Sequence, residues 1–425
     1  MQRFREHLAK AFLVCMSVGF TACASYTQEM KEMNLSFRAG NYTAALEKFD
    51  KVDLKEESRN RMLYYLEKGM IQDRLDKRES SRNLWMKADK VGDELFTTSL
   101  SKEAATYLYN EGAQAYPGED YEKVAIHTML AHSFLGEGDL DSARVEAARI
   151  NTKLNEINGF YKDNKNKYRD DAYARYLSAM IYEANGELDS AIIDYRNALQ
   201  IYEGDYQETF GVKAPDELVA ALYRLFIQRD RKDEAKALAK KYNKPELASP
   251  SEYASIVVVH EVGVINEKRA EDFVVPWGGS VLRFSFPVIP KKSPSREPTG
   301  FRVNEGSFES GELAQNFNTI AYANLEDRRV RMIVKSAARI ILKNQLTQKA
   351  EKELGAAGLI AATVYGAVTE TADTRQWTTL PAAVYVTRKI VKPGEYSVEI
   401  TNNGRVKTIK KIRLKKGDVQ IIRDA

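Results

Sequence analysis

Cysteine and histidine are scarce in this chain, and the familiar catalytic motifs are absent. Its 425 residues include two cysteines, Cys15 and Cys23, and four histidines. His127 and His132 lack the four-residue spacing that places two metal ligands on one helix face. There is no H-E-x-x-H, P-loop, G-x-S-x-G or dinucleotide-binding glycine motif. We therefore predict no metal, no cofactor and no enzymatic activity; a carboxylate-based hydrolase is the class that these absences leave open.

The first 22 residues have the composition of a secretory signal peptide. Basic residues precede an apolar run at 11–20, and the small residues Thr21 and Ala22 follow it. A run of this length is too short to span a bilayer. Since Cys15 would leave with the signal, the mature chain would keep one cysteine. That excludes a disulfide and a cysteine metal site.

The sequence Phe20-Thr21-Ala22-Cys23 resembles the bacterial lipobox, although Phe20 stands where an aliphatic residue is usual. The resemblance implies cleavage before Cys23 and a diacylglycerol on its thiol. With Ala24 rather than aspartate next, it also implies the outer membrane. We therefore predict that Cys23 is lipidated and anchors the protein in the cell envelope, facing the periplasm. The alternative is that Cys23 is an ordinary residue near the N-terminus of a secreted protein.

Residues 23–248 carry a repeated helical pattern. Its best copy has the spacing of a tetratricopeptide repeat: Ala179, Tyr182, Gly186, Ala191, Tyr195 and Ala198. Residues 131–150 and 33–52 repeat it, and 69–88 and 226–242 are weaker copies. Because one repeat cannot bury its own apolar face, we predict stacked helix pairs, an all-α tetratricopeptide-like solenoid. Tyrosines at helical spacing are predicted to fill its core rather than bind a ligand: Tyr173, Tyr176, Tyr182 and Tyr195.

Residues 251–425 are predicted to form a second domain, an α+β domain with an antiparallel sheet and a basic, β-rich tail. Strand-like runs lie at 256–264, 281–286, 382–386, 396–400, 406–414 and 419–422. Asn402-Asn403-Gly404 has the residues of a type I′ hairpin turn. The tail is therefore expected to be one small antiparallel sheet.

Two helices are predicted before this tail. Residues 325–354 are expected to form a long basic helix, and 355–368 an apolar helix whose Gly358, Ala362 and Gly366 share one face. The apolar stretch is shorter than the ~20 residues that a spanning helix needs, so we predict that it is buried. The alternative is a helix that inserts into the membrane.

Several stretches resemble an uncharacterised family of bacterial tetratricopeptide-containing outer-membrane lipoproteins: 258–263, 285–287, 372–381 and 392–396. The resemblance covers most of the mature chain and implies an envelope location with no established activity. Its most distinctive stretch contains Asp373, Arg375 and Trp377. These three residues have two interpretations. They form either a recognition patch, in which Arg375 binds an anionic group beside an aromatic ring, or an ion pair that orders the start of a strand.

Charge is distributed unevenly along the chain. Residues 23–250 sum to about −6 and 251–425 to about +8, and residues 388–423 hold 11 basic and 3 acidic side chains. Three interpretations of this basic tail are open. It binds anionic envelope polymer or lipid headgroups, it binds the acidic helical half or another protein, or it is a solvated face that protects sheet edges.

The predicted function is that of a lipid-anchored envelope scaffold whose helical repeats bind a protein partner; alternatively, the repeats are only a spacer. A second candidate is a lipoprotein associated with peptidoglycan or its synthesis machinery, which binds anionic polymer through its basic C-terminal domain. A hydrolase is a distant third. Nucleic acid is not an expected partner outside the cytoplasm.

Overall fold

The structure of the protein is a computed structural model. It describes residues 26–54, 58–99, 114–160, 168, 170–243, 253–277, 280–291, 297–329, 332–334 and 372–425. The predicted signal peptide with Cys23, the boundary near 249–251 and the apolar helix with Gly358, Ala362 and Gly366 lie outside these residues.

The described part of 26–243 is helical. Helices α1 to α12 lie at Tyr26–Glu29, Lys31–Arg38, Tyr42–Phe49, Arg61–Arg74, Arg78–Ser99, Asp120–Glu137, Leu140–Phe160, Ala172–Ala184, Leu188–Ile201, Gln207–Phe210, Asp216–Gln228 and Lys232–Tyr242. A π-helical turn at Tyr202–Tyr206 joins α9 to α10. Five helix pairs follow one another: α2 with α3, α4 with α5, α6 with α7, α8 with α9, and α11 with α12. The prediction of stacked helix pairs is confirmed.

Each pair turns at a residue with positive φ. Glycine holds this position in three turns, at Gly40, Gly138 and Gly186, with φ of 78°, 78° and 76°. Asp76 and Asp230 take it in the other two, with φ of 59° and 53°. Aspartate tolerates the left-handed region better than most residues. The second pair therefore makes the same turn without the glycine that its sequence lacks.

Small residues and aromatics fill the contacts between paired helices, as the repeat pattern predicted. A Cβ atom on Gly69 would lie 2.5 Å from the indole nitrogen of Trp85, so only glycine lets α5 approach α4 this closely. The Trp85 Nε1–H donates to the Leu66 carbonyl at 3.3 Å. Tyr173, Tyr176 and Tyr195 are buried, and Tyr182 is partly buried.

The described part of 253–425 contains ten strands and a helix. Strands β1 to β10 lie at Ala254–Val262, Arg269–Trp277, Ser280–Val288, Gly300–Val303, Phe308–Ser310, Glu312–Asn316, Ala383–Val391, Gly394–Asn402, Arg405–Leu414 and Val419–Asp424. Helix α13 covers 317–329, so it begins before the predicted start at 325. Most of the predicted basic helix 325–354 lies outside the described residues. None of the described helices is long and apolar enough to cross a membrane.

The sequence had suggested that the tail forms one antiparallel sheet, and this prediction is wrong. The strands form a first sheet in the order β10-β1-β7-β6, a hairpin of β2 and β3, and a further sheet in the order β5-β4-β8-β9. Strand β10 runs parallel to β1, with Val258 opposite Ile422. Residues 392–393 carry the chain from β7 in the first sheet to β8 in the other. The predicted type I′ hairpin is confirmed, because Asn403 and Gly404 have φ of 50° and 77° between β8 and β9.

Strand β1 separates two apolar cores. Val257 and Val259 belong to the large core shared with the helices, whereas Ile256 and Val258 belong to a smaller core against the β5-β4-β8-β9 sheet. Successive side chains of a strand point to opposite faces, so a continuous β-branched run suits a strand covered on both sides. The layers are therefore helices, first sheet and second sheet.

The large core does not stop at the predicted domain boundary. It joins residues of the helical pairs to Ile265, Phe317, Trp377 and Ile421 of the C-terminal half. The division at 248–251 stays a prediction, but two halves with a shared apolar core are expected to unfold together.

Candidate functional site: the inner face of the helical repeats

The first helices of the five pairs (α2, α4, α6, α8 and α11) form the side of the array that we call the inner face. Nearly every residue of α6 is buried, including polar ones such as Glu122, His127 and His132. The second helices, by contrast, keep exposed positions along their length. The C-terminal half covers the inner face.

The stretch at 372–380, the Trp377 segment, lies against α4 and α6; it has no regular secondary structure up to Trp377 and turns at 378–380. The buried Glu67 carboxylate of α4 accepts the main-chain N–H groups of Thr378 at 2.6 Å and Thr379 at 3.1 Å. It also accepts both threonine hydroxyls, at 2.8 and 2.6 Å, and the Tyr26 hydroxyl at 2.9 Å. Burial raises the pKa of Glu67 despite these hydrogen bonds. One side chain thus holds two consecutive peptide groups of the segment.

Glu122 on α6 holds the next peptide group. Its carboxylate accepts the Trp377 N–H at 2.8 Å, the Tyr116 hydroxyl at 2.7 Å and the Glu119 N–H at 3.0 Å. Glu119 and Glu122 form a capping box at the start of α6. Burial and the neighbouring Glu119 carboxylate outweigh these donors and raise the pKa of Glu122 to about 7.

Glu119 is held by cations instead. Its carboxylate contacts the Lys268 ammonium at 2.5 Å and the Arg328 guanidinium, and it accepts the Asn324 amide at 2.9 Å. Burial opposes ionisation here, but Arg328 and Lys268 together lower the pKa of Glu119. The pKa values of these two neighbouring glutamates therefore shift in opposite directions.

Glu122 gives the protein a specific pH dependence. A free glutamate has a pKa near 4.5, whereas folded Glu122 keeps its proton up to about pH 7. Between these values the folded state binds the extra proton, so this contribution to stability is full below about pH 4.5 and is lost as pH rises to 7. Because of this group, the free energy of unfolding of the wild type should fall by about 2–3 kcal/mol between pH 5 and 7.5. Urea unfolding at the two pH values should show that Glu122→Gln removes this fall. The exposed Glu47→Gln should leave that decline in place; equal pH profiles for Glu122→Gln and wild type would refute the assignment.

A charged cluster joins α4 and α6 to β1 and β10. The Arg423 guanidinium contacts Asp73 at 2.6 and 2.8 Å and Glu261 at 2.7 Å. Arg74 contacts Glu261 at 2.5 Å, and His132 Nδ1 lies 2.8 Å from the same carboxylate. Although burial opposes it, Arg423 and Arg74 hold the pKa of Glu261 well below its usual value. Burial lowers the pKa of His132.

The contacts continue to the last pairs. Arg388 of β7 makes a buried two-point ion pair with Glu183 of α8, at 2.6 and 2.8 Å. The Glu312 carboxylate of β6 accepts the N–H groups of Asp216 and Glu217 at 3.0 and 3.1 Å. A carboxylate at the start of α11 accepts hydrogen bonds from amides that have no partner within the helix, and its negative charge interacts favourably with the positive end of the helix dipole. Basic residues of the tail thus meet acidic residues of the helical half inside the molecule.

The predicted recognition patch lies within this buried region. The Arg375 guanidinium contacts Asp373 at 2.7 Å and also donates to the Gln114 carbonyl at 2.8 Å and the Asn60 side chain at 3.0 Å. Trp377 is fully buried, with its ring 6.2 Å from that of Trp85. The three residues do come together, but the guanidinium is occupied by this chain's own groups. This geometry fits the ordering interpretation better than an open patch for an anionic ligand.

Two other buried histidines are paired with carboxylates of the chain as well. His127 lies 2.9 Å from Glu146, and His260 lies 2.9 Å from Asp424. Among the described residues, no group of three or more potential ligands is placed to hold a metal ion. Sequence reasoning missed Glu67, Glu119 and Glu122, because the residues around them do not distinguish them from solvated glutamates.

Comparison with known proteins adds fold-level likenesses only. No protein-family model and no curated protein matches the chain. MamA of AMB-1 aligns with 51% of this chain and 88% of its own, at 16% identity and a TM-score of 0.30. A Podosopora anserina protein with nearly identical TPR-like repeats, assigned as a kinesin light chain, covers 51% and 92%, at 14% identity and a TM-score of 0.30. BtubC from P. vanneervenii covers 58% and 91%, at 14% identity and a TM-score of 0.32. The assignment of helical repeats therefore rests on the helix pairs and turns themselves.

Proposed function

We propose that this chain is a scaffold that binds a protein partner at the cell envelope, where a lipid on Cys23 holds it. One observation carries the proposal: the repeats already hold a segment of polypeptide. They grip three consecutive peptide groups of the Trp377 segment through Glu67 and Glu122. Because that inner face is filled by the chain itself, a partner would dock on the second helices of the pairs, the outer face.

Exposed aliphatic residues recur on this outer face. Val145 on α7 is 46% exposed and Ile193 on α9 is 59% exposed. They occupy the same position after the turn residues Gly138 and Gly186. The third and fourth helix pairs thus each present an aliphatic side chain at this position, which suits an apolar partner surface.

Val145→Asp tests this surface. The tagged mature protein is used to capture the partner from detergent-solubilised envelopes. The variant should capture about tenfold less partner than wild type, because a charge at the centre of an interface costs more than about 1.4 kcal/mol of binding free energy. Asn155→Asp places the same charge on an exposed position of α7 about 15 Å further along the helix and should retain the partner. Neither change should alter the unfolding midpoint. Equal capture by both variants would place the partner elsewhere.

Cys23→Ser tests the envelope location separately. The variant should move from the membrane fraction to the soluble periplasmic fraction and should lose labelling by a fatty-acid probe, since one thiol carries the anchor. Cys15→Ser is the matched control and should remain membrane-bound. An unacylated native N-terminal peptide would contradict the anchor.

The second candidate function is binding to peptidoglycan or another anionic polymer. Residues 405–416 contain seven lysines and arginines and no acidic residue, and Lys407, Lys411 and Arg413 are exposed. Co-sedimentation with isolated peptidoglycan that weakens with added salt would favour this candidate, because screening acts on exposed charges.

A further inference from the structure

The hairpin of β2 and β3 stands apart from the other sheets. Arg269 pairs with Val288 at its base, and Trp277 pairs with Ser280 at its end. Each strand has nine residues, so the hairpin is about 30 Å long at 3.3 Å per residue. Among the described elements, neither strand belongs to either four-stranded sheet or packs substantially against a helix. An isolated two-stranded hairpin is marginally stable in water.

The outer half of this hairpin is apolar. Phe273 is 45% exposed and Val274 is 60% exposed. The sequence continues through 275–277 as Val-Pro-Trp and returns after two glycines through Val-Leu at 281–282. Apart from Arg283, the charged residues of the hairpin lie in its base half. Soluble proteins rarely expose a continuous apolar surface without a use for it.

The base of the hairpin lies beside the predicted lipid anchor. The Thr27 hydroxyl donates to the carbonyl of Lys268 at 2.7 Å, and Lys268 directly precedes β2. Cys23 is four residues before Thr27. Because an extended chain spans at most about 3.6 Å per residue, the Cys23 Cα lies within about 14 Å of the Thr27 Cα. A lipid on Cys23 therefore brings a bilayer to this end of the molecule.

We propose that the β2–β3 hairpin is a second membrane contact, whose apolar end enters the interface of the bilayer that holds the lipid. Aliphatic residues with a tryptophan are the side chains that this interface favours. Two attachments at one end fix the orientation of the protein, so that the rest of the body projects from the membrane. The inference rests on the proposed anchoring through Cys23.

Tryptophan emission offers a direct test. The chain has three tryptophans, and Trp85 and Trp377 are buried in the protein core, so a response to lipid reports Trp277. Acylated, full-length mature protein is reconstituted into phosphatidylethanolamine–phosphatidylglycerol vesicles with and without brominated lipid. Brominated lipid should quench part of the emission. Val274→Asp should abolish most of this quenching while the protein stays on the vesicles through Cys23.

Val406→Asp is the matched control, because Val406 on β9 is also 60% exposed. Brominated lipid should quench the tryptophan emission of this variant as much as that of wild type. Absence of quenching in vesicle-bound wild type, or equal quenching in Val274→Asp, overturns the hairpin contact. So does a wild-type protein that is dimeric in detergent while Val274→Asp is monomeric, since a second copy would then cover the hairpin. Failure of the anchor is distinguishable, because the protein would then leave the vesicles and mass spectrometry would find no acyl group on Cys23.

Discussion

Glu67→Ala is expected to lower the free energy of unfolding by about 3–5 kcal/mol. The change leaves the N–H groups of Thr378 and Thr379 buried without their acceptor, and each such group costs about 1–3 kcal/mol. Glu67 is fully buried and accepts both amides as well as both threonine hydroxyls. Urea unfolding followed by circular dichroism measures the effect.

Two controls sharpen this prediction. Glu47→Ala on α3 is exposed and should change stability by less than about 0.5 kcal/mol. Glu67→Gln keeps one acceptor oxygen and should fall between the two. A Glu67→Ala protein as stable as Glu47→Ala would show that the Trp377 segment is not held by this carboxylate.

Arg423→Met is expected to lower the free energy of unfolding by about 3–5 kcal/mol as well, because it removes one of the two guanidinium groups that the buried Asp73 and Glu261 carboxylates share; Arg74 is the other. Asp73 and Glu261 both contact this guanidinium, and both are buried. The exposed Arg413→Met on β9 (82% side-chain exposure) is the control and should be nearly neutral.

The pair can also be tested as a cycle. Asp73→Asn should cost less in an Arg423→Met background than in wild type, because the Asp73 carboxylate has then already lost its two contacts with Arg423. Additive effects, or a loss in Arg423→Met no larger than in Arg413→Met, would contradict a coupled network between α4 and β10.

Local signals in the sequence predicted the helix pairs and the β8–β9 hairpin. A repeat needs only small residues, aromatics and a left-handed turn within one short stretch, as at Gly186. The hairpin needs Asn403 and Gly404 at its two positive-φ positions. Each of these elements is stabilised mainly by neighbours in the chain, so its residues are sufficient to indicate it.

Long-range pairing left no such signal. The parallel contact of β10 with β1 joins Val258 to Ile422, and nothing local specifies which strand takes that place. Strand β2 was missed because charged residues occupy its first half and Pro276 lies within it. The short strands β4 to β6 follow a proline-rich loop and show little alternation.

The residues that fill the inner face were equally hidden. Glu67 and Glu122 look like solvated helix positions until the Trp377 segment is placed against them. The uneven charge of the chain did carry information, because Arg388 and Arg423 of the basic tail pair with Glu183 and Asp73 of the acidic half. These pairs fit the interpretation in which the basic tail binds the acidic helical half.

Native-state hydrogen exchange tests most directly whether the repeats and the C-terminal half form one cooperative unit around the inner face. The amides of Ile126 in α6 and Val257 in β1 should exchange with the same free energy of opening in the whole protein, since both lie in the shared core. Glu67→Gln should lower both values equally. Exchange of the β1 amide at a distinctly lower free energy, with the α6 amide unaffected by Glu67→Gln, would contradict the account.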